Sequence, residues 1–403
     1  MKKSILAAIA VLSAAFMANA QPPQPPQQPQ QAASELQFTT VKELPITSVK
    51  NQASSGTCWC YSTLSFIESE ILRMGGPETD LAEMFVVSKA YADKAEKYVR
   101  LDGVLNFAQG SSSEDVFHIW EDYGIVPQEV MEGLNYGEKV NRHSELCNGM
   151  KGFLDAVIKN PNKKLSTAWK RALQGILDAY LGPCPEEFEY NGKKYTPKSY
   201  AESLGIKPQD YISITSFTHH PFYTQFVIEV EDNWRWDYSY NVPLEDMMAI
   251  IDNAIDKGYT VAWGTDVSEP GFTRTGIAVN PDLSKVEEAG SDQQRWIGVS
   301  EEDKAKQLAK MREDAPELTV TQEMRQEGYD NKTTTDDHGM HIYGIAKDQD
   351  GNKFYMVKNS WGEYGKYKGL LYASDSFVRH KTLNIMVHKN AIPKEIRSKM
   401  GIK

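Results

Sequence analysis

"NQASSGTCWCYSTLSFIESEILRMGG", residues 51–76, is the stretch from which both a fold and a chemistry can be read. Trp59, Leu64, Phe66, Ile67, Ile71 and Leu72 recur at helical spacing, and Gly75-Gly76 ends the run. The pattern predicts an apolar helix that opens at Cys58, after Gly56-Thr57. A thiol in the first turn of a helix sits by the positive end of the helix dipole, which favours the thiolate. Cys60 lies two residues on, about 200° round the helix. It is expected to pack, leaving Cys58 as the candidate nucleophile. Cys-x-Cys without a second cysteine pair or a nearby histidine is a poor zinc site.

A thiolate that attacks a carbonyl needs a base that later serves as acid, and a group to orient that base. The candidate bases are His338 and His341, in "DDHGMHIYGIAKD" (336–348). The run reads as a strand, in which alternate residues share a face. His338 and His341 therefore point opposite ways, and only one can meet Cys58. His338 is the choice, with His341 structural. Asn359, in "VKNSWGEYGKYKG" (357–369), offers an oxygen to the imidazole, and Trp361 a cover for that bond. Gln52, six residues before Cys58, offers an amide donor. With the Cys58 N–H it would make an oxyanion hole, worth on the order of 3–4 kcal/mol of barrier. His219-His220, in "FTHHPFY" (217–223), lacks a carboxylate or cysteine at useful spacing and reads as a loop pair. Asp337 reads as a solvated or turn residue, with tuning of the His338 imidazole as the alternative. No metal and no cofactor are expected.

Residues 1–20 read as a secretory signal peptide: Lys2 and Lys3, an apolar run from Ile5, then Ala18-Asn19-Ala20 as cleavage site. Residues 21–35, with "QPPQPPQQPQQ", make a Pro/Gln-rich spacer that cannot build a core. The remaining 36–403 is expected to be one domain. A net charge of −11 gives no case for nucleic acid or an anionic membrane surface. No later stretch is long and apolar enough to span a bilayer. The expected location is periplasmic or secreted. Cys147 and Cys184 either pair there or stay as buried thiols.

Helical patterns fill residues 58–180: Asp80–Arg100, Ser111–Gly124 and Ser144–Tyr180 follow the thiol helix. "FTHHPFYTQFVIEVEDNW" (217–234) has strand character, "LEDMMAIIDNAIDKG" (244–258) is an amphipathic helix and "YTVAWGTDV" (259–267) a strand. Strand-like runs at His338–Ala346, Lys353–Lys358 and Gly369–Ala373 close the chain, and 301–314 reads as a solvated helix face. Helices first and antiparallel strands last predict an α+β fold.

Three motifs resemble the papain superfamily: Q-x-x-x-G-x-C-W at Gln52–Trp59, D-H-G-M with Gly344, and K-N-S-W-G with Gly369. The Cys-His-Asn roles assigned above are those that this superfamily carries, so the resemblance and the residue chemistry agree. Cys58 and His338 are 280 residues apart (338 − 58), against the ~130–150 of papain-like enzymes. "NQASSGTCW", "VVSKAYADKAEKY", "YGIVPQEVM", "LGPCPEEF" and "AWGTDVSE" are similar to the bleomycin hydrolase and aminopeptidase C branch.

The resemblance implies a two-lobed fold, helical on the left and antiparallel β on the right, with large helical insertions (about 140–330) and a C-terminal arm (about 390–403). It implies a thiol aminopeptidase acting on peptides, with Lys403 supplying a terminal carboxylate for the substrate's α-ammonium. Gly110 and Ser111 stand where the family holds the substrate backbone with Gly-Gly, and Trp361 adjoins that site. It also implies a ring-shaped homohexamer. An endopeptidase with an open cleft, or an inactive peptide-binding homologue, are the rival readings.

Overall fold

In the computed structural model of the protein the described residues are 36–161, 163–282 and 315–402. The expected signal peptide and spacer, the run 301–314 and Lys403 lie outside them. Among the described residues no helix is long and apolar enough to cross a membrane.

The thiol helix, α1 (Cys58–Arg73), starts at the nucleophile candidate and is buried from Trp59 to Ile71. It is wrapped on every side, so its polar residues need partners. Glu68 accepts from Lys50 Nζ at 3.1 Å and from the Leu81 N–H at 3.0 Å. Lys50 also reaches Glu83 at 2.7 Å and Asp80 at 2.6 Å. That cluster ties the loop before α1 to the start of α2 (Glu83–Arg100). α3 (Ser113–Tyr123) opens with a reciprocal Ser112–Asp115 capping box. α4 (Ser144–Ile158), α5 (Ala168–Leu181) and the short α6 (Pro197–Ser203) complete a helical lobe around one apolar cluster.

The other lobe is a sheet whose strands are β1 (Thr39–Glu43), β4 (Tyr211–Thr215), β5 (Gln225–Val227), β6 (Tyr238–Asn241), β7 (Val261–Thr265), β8 (Ile277–Ala278), β9 (His338–Lys347), β10 (Lys353–Lys358), β11 (Leu370–Ser374) and β12 (Thr382–His388). Its order is β5-β6-β4-β12-β7-β9-β10-β11-β8, with β1 on β9. β4/β6 and β11/β8 are parallel and the other pairs antiparallel. β2 (Phe188–Tyr190) and β3 (Lys193–Tyr195) form a separate hairpin.

Helix α7 (Leu244–Asp256) packs its Met247, Ile250, Ile251 and Ile255 on Met340, Ile342 and Ile385 of the sheet, in a second apolar cluster. α8 (Gln322–Asp330) leads to β9, and α9 (Asp375–Lys381) joins β11 to β12. The segment expected as helical insertions is thus mixed: α4 to α6 are helical, whereas β4 to β8 join the main sheet. Of the strand-like run 217–234 only β5 is strand. Positive φ at Tyr223 and Trp236 turns the chain on either side.

The arm ends in α10 (Lys394–Lys399), with Ile392, Ile396, Met400 and Ile402 packed on the second cluster. Asn253 Nδ2 of α7 holds the Ala391 carbonyl at 2.5 Å. The arm residues as far as Ile402 do not line the cleft that holds Cys58.

Candidate active site

Cys58 opens α1, and His338 opens β9. Both line one cleft between the lobes. Close approach of strand to helix depends on Gly339. A Cβ there would stand 2.7 Å from Ser62 Oγ and 3.4 Å from the Cys58 carbonyl oxygen. The alternation expected along β9 holds. Met340 and Ile342 enter the sheet's core. His341 faces α1, where its Nδ1 meets Ser65 Oγ at 2.9 Å.

His338 Nε2 lies 2.8 Å from Asn359 Oδ1. That oxygen also accepts the Ser360 N–H at 2.7 Å, while Asn359 Nδ2 meets Tyr364 Oη at 3.1 Å. The backbone N–H can face only the amide oxygen, so the amide orientation is settled. Nε2 must then carry a hydrogen, and in the neutral ring Nδ1 keeps its lone pair. Trp361 tilts over the imidazole, ring centroids 4.8 Å apart, and remains 36% exposed.

Burial pushes the Cys58 thiol up to about 12, against N–H groups of Gly339 and Trp59 that favour the thiolate. The charges of Asp336 and Asp232 push it the same way as burial. Burial pushes His338 down to about 4, against its bond to Asn359. The cleft thus disfavours either charge alone.

Gln52 is buried before α1. Its Oε1 accepts from Ser360 Oγ at 2.6 Å and its N–H donates to the Ser360 carbonyl at 2.8 Å, which binds the glutamine loop to the asparagine hairpin. Nε2 donates to the Ser55 carbonyl at 2.7 Å, and Gln52 is not among the residues that line the cleft. The Cys58 N–H, in the first turn of α1, has no intrahelical acceptor.

Cys60 is fully buried with its thiol at the Glu83 carbonyl, and all four cysteines are free thiols. Ser111 lines the cleft, and its hydroxyl accepts from Trp234 Nε1 at 2.7 Å. Gly110 abuts Asp232 so closely that a Cβ would stand 1.9 Å from Oδ2. Lys403 lies outside the described residues.

Sequence reasoning missed the cleft's charge. Glu114, Asp232, Asp336 and Asp337 all line it. They come from three distant segments, and no spacing rule connects them. Desolvation pushes Asp232 up to about 6, against Lys94, and desolvation with repulsion from Asp232, Asp337 and Glu114 pushes Asp336 up to about 8. Glu114 Oε2 is buried without a partner. Asp337 does play the turn role expected of it, accepting from the Val267 and Ser268 N–H groups at 2.8 and 3.2 Å. The reading of His219-His220 needs correction. Both rings face a carboxylate, Glu229, brought up by the turn into β5.

The Peptidase C1-like family model matches residues 317–402, the part that holds the histidine strand and the asparagine hairpin. Aminopeptidase E of Lactobacillus helveticus is 25% identical, over 88% of this chain and 84% of its own. Aminopeptidase C of Streptococcus thermophilus is 23% identical, over 90% and 85%. Aminopeptidase G of Lactobacillus delbrueckii subsp. lactis is 23% identical, over 88% and 83%. The crystal structure of PepW from Lactobacillus rhamnosis HN001 matches the fold with a TM-score of 0.66 at 20% identity, covering 90% of this chain and 84% of that one. With such relatives along most of its length and that fold around the thiol helix, the chain is similar to the aminopeptidase C branch of the papain superfamily, and the likeness supports a cysteine-type peptidase.

Proposed function

We propose that the protein is an aminopeptidase, cleaving peptides from a free N-terminus by a Cys58–His338–Asn359 thiolate mechanism. Cys58 Sγ passes its proton to His338 Nδ1 and attacks the scissile carbonyl carbon. The Gln52 amide and the Cys58 N–H hold the resulting oxyanion. As the C–N bond breaks, His338 returns the proton to the leaving amine. Water then attacks the thioester, giving its proton to His338, and the C–S bond breaks to free the acid and the thiol. Asn359 holds the ring in the tautomer this sequence needs.

The exopeptidase reading rests on one observation: among the described residues, four carboxylates and no lysine or arginine line the cleft that holds the thiol. An α-ammonium is the part of a peptide that suits such a wall. Asp232 and Asp336, whose charges are felt at the Cys58 sulfur, are the proposed anchors. Lys94 stands behind this wall with its ammonium bound to the Ala108 and Gly110 carbonyls at 3.1 and 2.7 Å. This reading does not require the terminal carboxylate of Lys403. On the strength of residues 1–20, the mature enzyme is proposed to act in the periplasm or outside the cell.

The test is a cleavage profile on peptide pairs that differ only in N-acetylation. The N-free member should be cut at least tenfold faster, and Asp232→Asn with Asp336→Asn should erase most of that preference. Equal cleavage of both members would favour the endopeptidase with an open cleft. No cleavage of either, by protein whose Cys58 is reduced, would favour the inactive homologue.

A further inference from the structure

We propose that His219, His220 and Glu229 form a site for one divalent transition-metal ion of the zinc class, on the outer side of a wall of the cleft. His219 Nε2 stands 3.2 Å from Glu229 Oε2, and His220 Nε2 stands 3.5 Å from Oε1. One ligand atom from each of the three residues lies within 4.8 Å of the others. Tetrahedral zinc with bonds of about 2.0–2.1 Å separates neighbouring ligand atoms by roughly 3.3–3.4 Å. The two nitrogen–oxygen separations, each to its own oxygen of Glu229, lie close to that value. Two imidazoles and a carboxylate suit zinc, nickel or cobalt, with water completing the shell.

The surroundings prepare these atoms as ligands. Gln326 Oε1 accepts the Thr218 N–H at 2.6 Å, and Gln326 Nε2 donates to Asp330 Oδ1 at 2.8 Å. That amide is therefore oriented, and its oxygen is what lies 3.2 Å from His219 Nδ1. Nδ1 must be the donor, so in the neutral ring Nε2 presents a lone pair to a carboxylate oxygen. Either a proton on Nε2 or a metal ion can occupy the space between them, and the three-residue grouping suits the metal. Ligating histidines are commonly fixed by such a bond at the other nitrogen, and ligating carboxylates by a hydrogen bond of their own. Glu229 has one: Tyr329 Oη donates to it, 3.2 Å from Oε2. The His220 ring stacks on Phe226 at 4.3 Å, and the His219 ring lies on Tyr329 at 5.5 Å. All three ligands remain reachable from solvent, with side chains 29%, 38% and 59% exposed for His219, His220 and Glu229.

The location gives the ion a structural task. Ile228 and Val230 line the cleft, while Glu229 between them faces the histidines. Tyr329 and Gln326 belong to α8, the helix that precedes the His338 strand. An ion here would clamp the 218–220 turn to the cleft wall, from outside the cleft.

The test uses the mature full-length protein with Cys58 capped by a peptidyl epoxide, so that the reactive thiol takes no metal. Zn²⁺ titrated by calorimetry should bind at one equivalent with Kd in the micromolar range or tighter. His220→Ala and Glu229→Gln should each weaken binding tenfold or more. Their melting temperatures in EDTA should match the parent's, and only the parent's should rise with Zn²⁺. Equal Zn²⁺ affinity in parent and variants, or no binding below about 100 µM, would overturn the site. Should a variant not fold, Co²⁺ bound to the parent decides: tetrahedral d–d bands without thiolate charge transfer support the site, and thiolate bands or no spectrum refute it.

Discussion

Asn359 sets the protonation of His338 without reaching the proposed substrate. Its oxygen is pinned by the Ser360 N–H and its nitrogen by Tyr364, so the amide that holds the ring cannot turn without breaking three bonds. Asn359→Ala should lower kcat/KM on the order of 10²-fold, since a freed imidazole spends little time aligned. Gln52→Ala should cost about 10²–10³ in kcat with little change in KM, because the oxyanion exists only after attack. Asp232 and Asp336 both hold the thiol's proton on. Asp232→Asn and Asp336→Asn should therefore lower the Cys58 pKa, and alkylation of Cys58 by iodoacetamide at a fixed pH should quicken in each. Unchanged rates would place these carboxylates too far from sulfur to matter. Cys58, His338, Asn359 and Gln52 are visible in the sequence because each sits in a short local motif. Glu114, Asp232 and Asp336 are not, for they converge only when the lobes close. Glu229 is hidden likewise, nine and ten residues beyond the two histidines it faces.

Two elements carry the site, α1 and β9, and each is legible in the sequence to within a residue. α1 shows an uninterrupted helical stripe with a glycine stop, and β9 an apolar run between charged turns. The region 217–234 misleads for the opposite reason. Its aromatic residues suit a strand, but their rings serve turns and small clusters, as Phe217 and Phe226 do around Tyr329. The C-terminal arm shows the same limit: its apolar spacing says that it packs, and only the fold shows that it packs on α7. The position of α1 rests on Lys50, which neutralises Glu68 and Glu83, both buried. Lys50→Met should destabilise the protein by roughly 3–5 kcal/mol, because two carboxylates are left buried without their cation. Denaturant unfolding would measure it. A loss under about 1 kcal/mol would show that the cluster is not what holds α1 and α2 in register.

Over the whole molecule, several buried histidines are kept neutral by burial, whereas the bond to Asp237 raises His118. His143, His338 and His380 are each pushed down to about 4 and His341 well below its usual value, burial being the first cause in every case. From pH 6.5 down to about 4 the unfolded chain binds protons that the folded one refuses, so stability present above pH 6.5 is lost as pH falls. The raised carboxylates act with the opposite sign. Asp232 and Asp336 hold protons in the folded state that the unfolded chain has released, so their contribution weakens as pH rises from about 4 toward about 6 and about 8. Stability should therefore peak between these limits. His143 isolates the acid limb, because neither of its ring nitrogens has a partner and burial is the cause of its shift. His143→Phe should lose about 2 kcal/mol less than the parent between pH 7 and pH 5. Identical pH slopes would mean that His143 charges freely in the folded state.

The proposed chemistry stands or falls with Cys58 and His338, 280 residues apart in the chain (338 − 58), acting as one reactive couple across the cleft. Labelling of the reduced protein with a peptidyl epoxide, read by mass spectrometry of the intact chain and its peptides, puts that couple to the test. One equivalent of label is expected, on Cys58 alone, with the rate falling at least a hundredfold in His338→Ala while Cys60, Cys147 and Cys184 stay unmodified. Label that appears elsewhere, or that reaches Cys58 at the same rate without the imidazole, would contradict it.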